Sequence, residues 1–213
     1  MLICTEGLIG LGKTTLCRSL GIDALYEPVE DNPFLSLYYA DPKRWAYAMQ
    51  VNLLTERFIR FQHAQWMSAF GKDVIIDRSF YGDFAFALVQ QQDGYFTEAE
   101  FNSYRKMHMI HQKYLQFPDI ILRLRASIDT TLERIAKRGR GCEEGIPRAY
   151  LESLDAAYNT LFEDLKRKCC VVDIDAEQDA ESVLRDALSA IEQRRIELEA
   201  RSHEYPHYKE CSL

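Results

Sequence analysis

The sequence predicts an α/β fold built on a five-stranded parallel sheet flanked by helices. The first observation is that five short apolar runs, each bounded by turn or charged residues, are spread along the chain. Each run is too short for a helix and is typical of a buried strand. The second observation is that helical patterns lie between the runs, and strands that alternate with helices favour a parallel sheet covered on both faces.

The elements follow one another in a regular order. The predicted strands cover residues 2–4, 24–26, 74–76, 120–122 and 171–174. The predicted helices cover residues 14–20, 42 to about 70, 97–116, 127–138, 147–168 and 177–201. Thr97 and Glu100 fit a capping box, and Pro147 suits the first turn of its helix. We therefore expect one domain over residues 1–201 and a polar tail at 202–213.

Composition excludes several classes of protein. The chain has 213 residues, of which 47% are hydrophobic, so it is long enough and apolar enough for a globular core. The net charge of −7 argues against non-specific nucleic-acid binding. The six cysteines have no zinc-like spacing and are expected to be reduced core thiols. Because no run is long enough to span a membrane and no leader precedes the first strand, we expect a cytoplasmic protein.

A glycine-rich turn joins the first strand to the first helix. Residues 7–15 match the phosphate-binding P-loop pattern G-x-x-x-x-G-K-[ST] in the strand–helix context that the pattern requires. Glycines let backbone N–H groups turn towards phosphate oxygens, and the helix N-terminus adds positive dipole. Lys13 would reach the β- and γ-phosphates, and the Thr14 hydroxyl would ligate Mg²⁺. The phosphate-binding residues predicted here are Gly7, Gly10, Gly12, Lys13, Thr14 and Thr15.

Charged side chains end the second and third predicted strands. Glu27 follows the second strand, and Asp77, Arg78 and Ser79 follow the third. The carboxyl ends of parallel strands face the ligand crevice of an open sheet, so we expect these side chains to meet there. Glu27 is suited to accept a proton, Asp77 to hold Mg²⁺ through water, and Arg78 to neutralise a moving phosphoryl group. Ser79 would N-cap the next helix. A surface glutamate and an Asp–Arg ion pair are the alternatives.

Three arginines lead into a glycine-rich stretch. Arg134 and Arg138 are four residues apart and share a helix face. Gly139 then ends the helix, and Arg140 follows. This composition predicts a mobile, arginine-rich lid over about residues 134–146 that lowers its arginines onto a triphosphate. A solvated run of charges is the alternative.

These residues together resemble the deoxyribonucleoside kinases, the family of deoxycytidine, deoxyguanosine, deoxyadenosine and mitochondrial thymidine kinases and of the multisubstrate insect enzyme. The resemblance extends from the P-loop to the last strand and implies a P-loop kinase of nucleotide salvage, with ATP as donor and Mg²⁺ as cofactor. It rests on the order of four stretches, which are Glu27-Pro28-Val29, Tyr39-Ala-Asp41-Pro42-x-x-Trp45 with Gln50, Asp77-Arg78-Ser79, and Arg138-Gly-Arg140-x-x-Glu143 ahead of Ile146-Pro147.

The resemblance implies a role for each residue that acts on the phosphoryl group. Glu27 corresponds to the general base that takes the proton from the sugar 5′-hydroxyl, and Arg78 to the arginine beside that hydroxyl. Lys13 belongs to the same catalytic set. Asp77 and Thr14 correspond to the groups on the Mg²⁺ side.

The resemblance also implies how the sugar and the lid bind. The 3′-hydroxyl would be bound by Tyr39 and Glu143, and Glu144 is the alternative to Glu143. Glu143 is preferred because it lies four residues before Pro147. The family's lid arginines correspond to Arg134, Arg138 and Arg140.

Recognition of the base falls to a further group. Gln50 corresponds to the amide that reads the base edge, and its side chain offers both donors and an acceptor. Arg57, two helical turns later, and Asp83 accompany purine deoxynucleosides and deoxycytidine in the family, so a purine deoxynucleoside is the expected acceptor, with deoxycytidine second. A surface charge is the alternative for Arg57. Phe84 or Phe58 would stack on the base.

Two other functions stay open at this point. A nucleoside monophosphate kinase resembling thymidylate kinase would need extra basic residues at the acceptor site and no base like Glu27. A non-catalytic nucleotide-binding homologue should have lost Lys13, Glu27 or Arg78, and all three are present.

The expected partners are a deoxynucleoside, ATP and a second copy of the chain, with no nucleic acid and no membrane. The second copy would bind through segment 42–70 or 97–116.

Overall fold

The structure is a computed structural model that describes residues 1–27, 32–139 and 145–204, with side chains as far as residue 201. Its centre is a sheet of five parallel strands in the order β2-β3-β1-β4-β5. The strands are β1 (Leu2–Glu6), β2 (Asp23–Leu25), β3 (Val74–Asp77), β4 (Ile120–Arg125) and β5 (Val171–Asp175). The predicted five-stranded parallel sheet is confirmed.

Helices cover the sheet. They are α1 (Lys13–Ser19), α2 (Leu35–Ala40), α3 (Pro42–Ala69), α4 (Asp83–Gln92), α5 (Glu98–Gln112), α6 (Ile128–Arg138), α7 (Arg148–Leu165) and α8 (Ala180–Glu204). The Thr97–Glu100 capping box is present at the start of α5. Pro147 is the N-cap of α7 and precedes its first turn. Helices α2 and α4 lie outside the predicted helix ranges. Helix α2 has only six residues, which is too short for a helical period to show in the sequence.

The core explains why the central strands read as continuous apolar runs. All residues of β1 and β3 are buried, as are the first five of β4, because helices cover both faces of the sheet. The fully buried side chains at its centre include Ile3, Ile75, Ile76, Ile120, Ile121 and Leu122. Because the strands are buried on both faces, the charged residues at the ends of β1 and β3 are held in fixed positions.

Four of the six cysteines lie among the described residues. Among the described residues, Cys4 and Cys17 are buried free thiols, and Cys169 and Cys170 are half-buried free thiols. Within the part of the chain that the structure describes, every helix is too short or too polar to cross a membrane.

Candidate active site

A cleft of about 800 Å³ lies where the P-loop and the residues that follow β2 and β3 converge. This is the edge at which ligands of open parallel sheets bind. Most of the residues predicted from the sequence line it, namely Gly10, Gly12, Lys13, Thr14, Thr15, Glu27, Tyr39, Gln50, Arg57, Asp77, Arg78, Arg134 and Arg138. Arg140 and Glu143 lie outside the described residues, as does the middle of the predicted lid, residues 140–144.

The P-loop has the tight turn that its glycines allow. Gly12, with φ at 85°, caps α1 in the left-handed region. A Cβ at Gly7 would lie 2.4 Å from the Leu124 carbonyl oxygen, so only glycine fits beside β4. The Lys13 ammonium donates to the carbonyl oxygens of Gly7 and Leu8, at 3.1 and 2.6 Å. Burial, together with the charge of Arg78, lowers the pKa of Lys13 to about 7.

Thr14 and Asp77 meet beside the P-loop. The Thr14 hydroxyl donates to Asp77 Oδ2 at 2.5 Å. Thr5 of β1 pairs with Asp77 of β3, so the sheet register places the Asp77 carboxylate next to the start of α1. A hydroxyl and a carboxylate are hard oxygen ligands of the kind that Mg²⁺ takes up alongside phosphate oxygens.

Glu27 lies between two arginines. Arg57 Nε donates to Glu27 Oε1 at 3.0 Å, and Arg78 Nε lies 3.4 Å from Glu27 Oε2. Burial works against ionisation of this carboxyl, but the charges of Arg57 and Arg78 outweigh it and lower the pKa of Glu27 to about 2. Glu27 is therefore a carboxylate at any working pH.

Asp83 contacts Gln50 and Arg57 from behind the cleft and does not itself line it. Gln50 Nε2 donates to Asp83 Oδ1 at 2.9 Å and to its backbone carbonyl at 3.3 Å. Arg57 forms an ion pair with the same carboxylate, and the Tyr104 hydroxyl donates to its other oxygen. The Asp83 side chain is fully buried, so it acts through Gln50 and Arg57.

The two aromatic residues predicted to stack on the base, Phe84 and Phe58, lie away from the cleft. Phe84 does not line the cleft; it faces α5, with its ring 5.3 Å from the ring of His108. Phe58 is stacked on His111 and is also outside the lining. Phe86 lines the cleft, with the guanidinium of Arg78 4.8 Å from its ring centre. Two residues along a helix are about 200° apart, so Phe84 and Phe86 face opposite ways.

Ser79 differs from its predicted role in detail. Its hydroxyl accepts from the N–H groups of Tyr81 and Gly82, at 3.1 and 3.3 Å, as an N-cap would. Helix α4 nevertheless begins at Asp83, with Gly82 in the N-cap position. Ser79 therefore closes the turn that leads into the helix.

The sequence analysis did not find several polar residues of the site. Gln90 lines the cleft, and its Nε2 donates to Gln50 Oε1 at 3.3 Å. Gln90 lies seven residues after Asp83, the same spacing as that between Gln50 and Arg57, and this spacing places both residues on one face of the helix. The sequence could therefore have indicated Gln90 as a neighbour of Asp83. Lys137 and Tyr150 also line the cleft. Glu6, the lone carboxylate that ends the apolar strand β1, is fully buried next to Arg78.

Comparisons with known proteins agree on one family. The chain matches the family model described as deoxynucleoside kinase over residues 3–196. Deoxyadenosine kinase of Dictyostelium discoideum is 35% identical over 176 residues, which are 81% of this chain and 71% of that protein. Deoxyguanosine kinase of the same organism is 34% identical over 172 residues, which are 78% of this chain and 60% of that protein.

Solved structures are similar over nearly the whole fold. Deoxyadenosine kinase from M. mycoides, with the products dCMP and a flexible dCDP bound, has a TM-score of 0.81 and 28% identity, and the match covers 91% of this chain and 100% of that one. The structure of the same enzyme with bound dATP has a TM-score of 0.79 and 29% identity, over 90% of this chain and 100% of that one.

Proposed function

Because the chain belongs to the deoxynucleoside kinase family, whose members are ATP-dependent phosphotransferases, we propose that its cleft transfers the γ-phosphoryl group of ATP to the 5′-hydroxyl of a deoxyribonucleoside, with a purine deoxynucleoside as the preferred acceptor. The observation that carries this proposal is that Glu27 and Arg78 meet in the same cleft as the P-loop. Arg78 Nε lies 3.4 Å from Glu27 Oε2.

The donor's phosphates are held at the P-loop end. Backbone N–H groups of the loop, Lys13 and the α6 arginines Arg134 and Arg138 supply positive charge to the triphosphate. Thr14 and Asp77 would hold Mg²⁺, which neutralises charge on the β- and γ-phosphates when it is bound. Positioning and charge neutralisation supply most of the rate acceleration in such transfers.

The acceptor hydroxyl lies at Glu27. The oxygen of this 5′-hydroxyl forms a bond to the γ-phosphorus of ATP. The bond from that phosphorus to the bridging oxygen breaks, and ADP leaves with the electron pair. The hydroxyl proton passes to Glu27. A carboxylate whose pKa is about 2 is a weak base, so the proton moves late, after the new bond to phosphorus has made the hydroxyl acidic.

The orientation of Gln50 favours a base that carries an amino group. Its Nε2 donates to Asp83, while its Oε1 accepts from Gln90 and retains a second lone pair. An exocyclic amino group can donate to that oxygen. Adenine and cytosine carry such a group where guanine carries a carbonyl oxygen. We therefore place deoxyadenosine first among the purines and deoxycytidine as a further acceptor.

A coupled assay of ADP release tests the proposal directly. The four deoxynucleosides and their monophosphates are offered separately with ATP and Mg²⁺. We expect deoxyadenosine to give the highest kcat/KM. Thymidine as the best acceptor would refute the base assignment, and turnover of monophosphates alone would establish a monophosphate kinase. Against the latter, Arg57 and Arg78, the arginines in contact with Glu27, are already engaged by carboxylates.

We also propose a homodimer. Large apolar side chains are exposed on α3 and at its C-cap, including Trp66 at 60% and Phe70 at 70%. Met109 and Tyr114, on α5 and just beyond it, are also more than half exposed. Two adjacent helices that expose such side chains are suited to pair with a second copy. Sedimentation of wild type and Trp66→Glu tests this, with a dimer expected for the former and a monomer for the latter.

A cytoplasmic location is consistent with the thiols. Four described cysteines are free, two of them only half-buried, and free thiols persist in a reducing compartment. Fractionation of cells that express a tagged chain tests the location, and recovery in a membrane fraction would contradict it.

A further inference from the structure

A fully buried carboxylate lies on the side of Arg78 away from Glu27. Glu6 is the last residue of β1 and is 0% exposed. Its Oε1 accepts from the Ser79 backbone N–H at 2.8 Å and from the Ser79 hydroxyl at 2.7 Å. Its Oε2 accepts from the Tyr158 hydroxyl at 3.1 Å and lies 3.6 Å from Arg78 NH1. The Tyr158 hydroxyl in turn accepts from Arg78 NH1.

These contacts restrain both the backbone next to Arg78 and the Arg78 side chain. Among the residues that the structure describes, Arg78 is the one non-glycine residue with positive φ, at 69°. Such a conformation persists where the surroundings enforce it, and it is concentrated at functional sites. The bonds from Ser79 to Glu6 fix the chain directly after Arg78. Tyr158 and Glu6 fix the NH1 end of the guanidinium, which leaves the Nε edge towards Glu27.

The sequence makes room for this carboxylate. A Cβ at Gly82 would lie 2.2 Å from Glu6 Oε1, so any other residue there would displace the side chain. Gly82 has an ordinary helical φ of −65°, so backbone freedom does not explain the glycine. The space that it leaves is occupied by Glu6.

We propose that Glu6 is a positioning residue for phosphoryl transfer, a buried counter-charge that holds the Arg78 guanidinium in place while Glu27 engages the acceptor hydroxyl. This inference rests on the proposed function. Arg78 lies between two carboxylates, Glu6 and Glu27. When Glu27 turns its oxygens to the substrate, Glu6 retains the pairing that a buried guanidinium requires.

The first experiment uses Glu6→Gln, which keeps the shape of the side chain and removes its charge. We expect kcat to fall by about 10-fold to 100-fold, the range for residues that orient a functional group, with KM for ATP and for deoxyadenosine changed less than about threefold. A residue needed only for folding would lower the melting temperature and the active fraction, but not kcat per folded molecule.

A double-mutant cycle separates the proposed route from any other. If Glu6 acts through Arg78, Glu6→Gln has little further effect on kcat once Arg78 is already Gln, about threefold or less. An undiminished effect in that background, or full wild-type kcat in the single variant, overturns the proposal. Should Glu6→Gln not fold, Tyr158→Phe is used in the same cycle, with the same readings.

The outcome is distinguishable from failure of the proposed function. If wild type phosphorylates no deoxynucleoside, the proposed function fails. If wild type is active and neither Glu6→Gln nor Tyr158→Phe lowers kcat, only the assignment of Glu6 fails.

Discussion

The two ends of the cleft balance their charges in different ways. At the acceptor end, Arg57 lies between Glu27 and Asp83, and Arg78 lies between Glu27 and Glu6. At the phosphate end, Lys13 donates to carbonyl oxygens of its own loop. Arg57 and Arg78 are therefore neutralised by the protein, whereas Lys13, which forms no ion pair with any residue that the structure describes, can pair with the phosphates of a ligand.

This difference indicates what each end contributes to catalysis. Groups that are paired within the protein are held in position before substrate arrives, so little reorganisation is needed at the moment of reaction. A cation that is buried without a carboxylate partner favours an incoming anion, since binding restores a charge that burial opposes. Variants at the acceptor end should therefore change turnover and specificity, and variants at the phosphate end should change the binding of ATP.

The largest expected effect is at Glu27. Glu27→Gln keeps the shape of the side chain but cannot take up the hydroxyl proton, and it leaves two arginines facing a neutral amide. We expect kcat with deoxyadenosine to fall by about 10²-fold to 10⁴-fold, the range for loss of a general base. Steady-state kinetics at saturating ATP measures this fall.

The pH profile sharpens the same prediction. Because the pKa of Glu27 is about 2 in the folded protein, its ionisation should give no acid limb in kcat/KM between pH 5 and 7. Near-normal turnover of Glu27→Gln would remove this residue from the role of base. An acid limb in that interval that disappears in the variant would show that the ion pairs do not hold the carboxylate as described.

A smaller effect is expected at Asp83. Asp83→Asn removes the charge that faces Arg57 and offers Gln50 either an oxygen or an amino group, so the orientation of the Gln50 amide is no longer enforced. We expect kcat/KM for deoxyadenosine to fall by about 10-fold to 100-fold relative to that for thymidine. The four-nucleoside panel gives the ratio.

The matched control lies at the other end of the same helix. Asp93 is the exposed C-cap of α4, and Asp93→Asn should leave the ratio unchanged. If both variants change the ratio equally, the effect comes from a change in the stability of α4.

Asp83→Asn should also lower the free energy of unfolding. Removing one partner of a buried ion pair costs about 3–5 kcal/mol, and chemical denaturation of Asp83→Asn should show a decrease of that size.

Sequence reasoning succeeded where a signal is local. The P-loop and the strand ends at Glu27 and Asp77–Arg78 are each a short stretch, and the sheet brings them together as the fold class predicts. It did not find the pairing of Glu6 with Tyr158, because those residues are 152 positions apart and meet only through tertiary packing. For a related reason it did not single out Phe86 as the aromatic residue that lines the cleft, since which face of α4 meets the cleft depends on how the helix packs.

At the phosphate end, the expected effect is a pH dependence of ATP binding. Burial and the charge of Arg78 lower the pKa of Lys13 to about 7, and phosphate oxygens bound beside it favour the charged form and raise that pKa again. At pH 6 Lys13 is already charged, so binding takes up little proton. Above pH 7 it must gain a proton on binding, so ATP affinity should fall by up to about tenfold per pH unit.

Calorimetry in two buffers of different ionisation enthalpy measures the proton uptake. We expect uptake approaching one proton per ATP at pH 8.5 and little at pH 6. Lys13→Gln is the control and should show no such uptake, although its affinity is lower. The same uptake in the variant would assign the titration to another group.

The smallest expected effect concerns Gln90. Its Nε2 donates to Gln50 Oε1 at 3.3 Å, a bond between neutral groups worth about 0.5–1.5 kcal/mol. Gln90→Leu removes that donor in a similar volume, so KM for deoxyadenosine should rise about twofold to tenfold, with kcat and the KM for ATP unchanged. Gln92→Leu, at an exposed position of the same helix, is the matched control. An equal rise in KM for deoxyadenosine in both variants would mean that Gln90 does not act through Gln50. A rise confined to Gln90→Leu would show that Gln90, like Asp83, helps to orient Gln50.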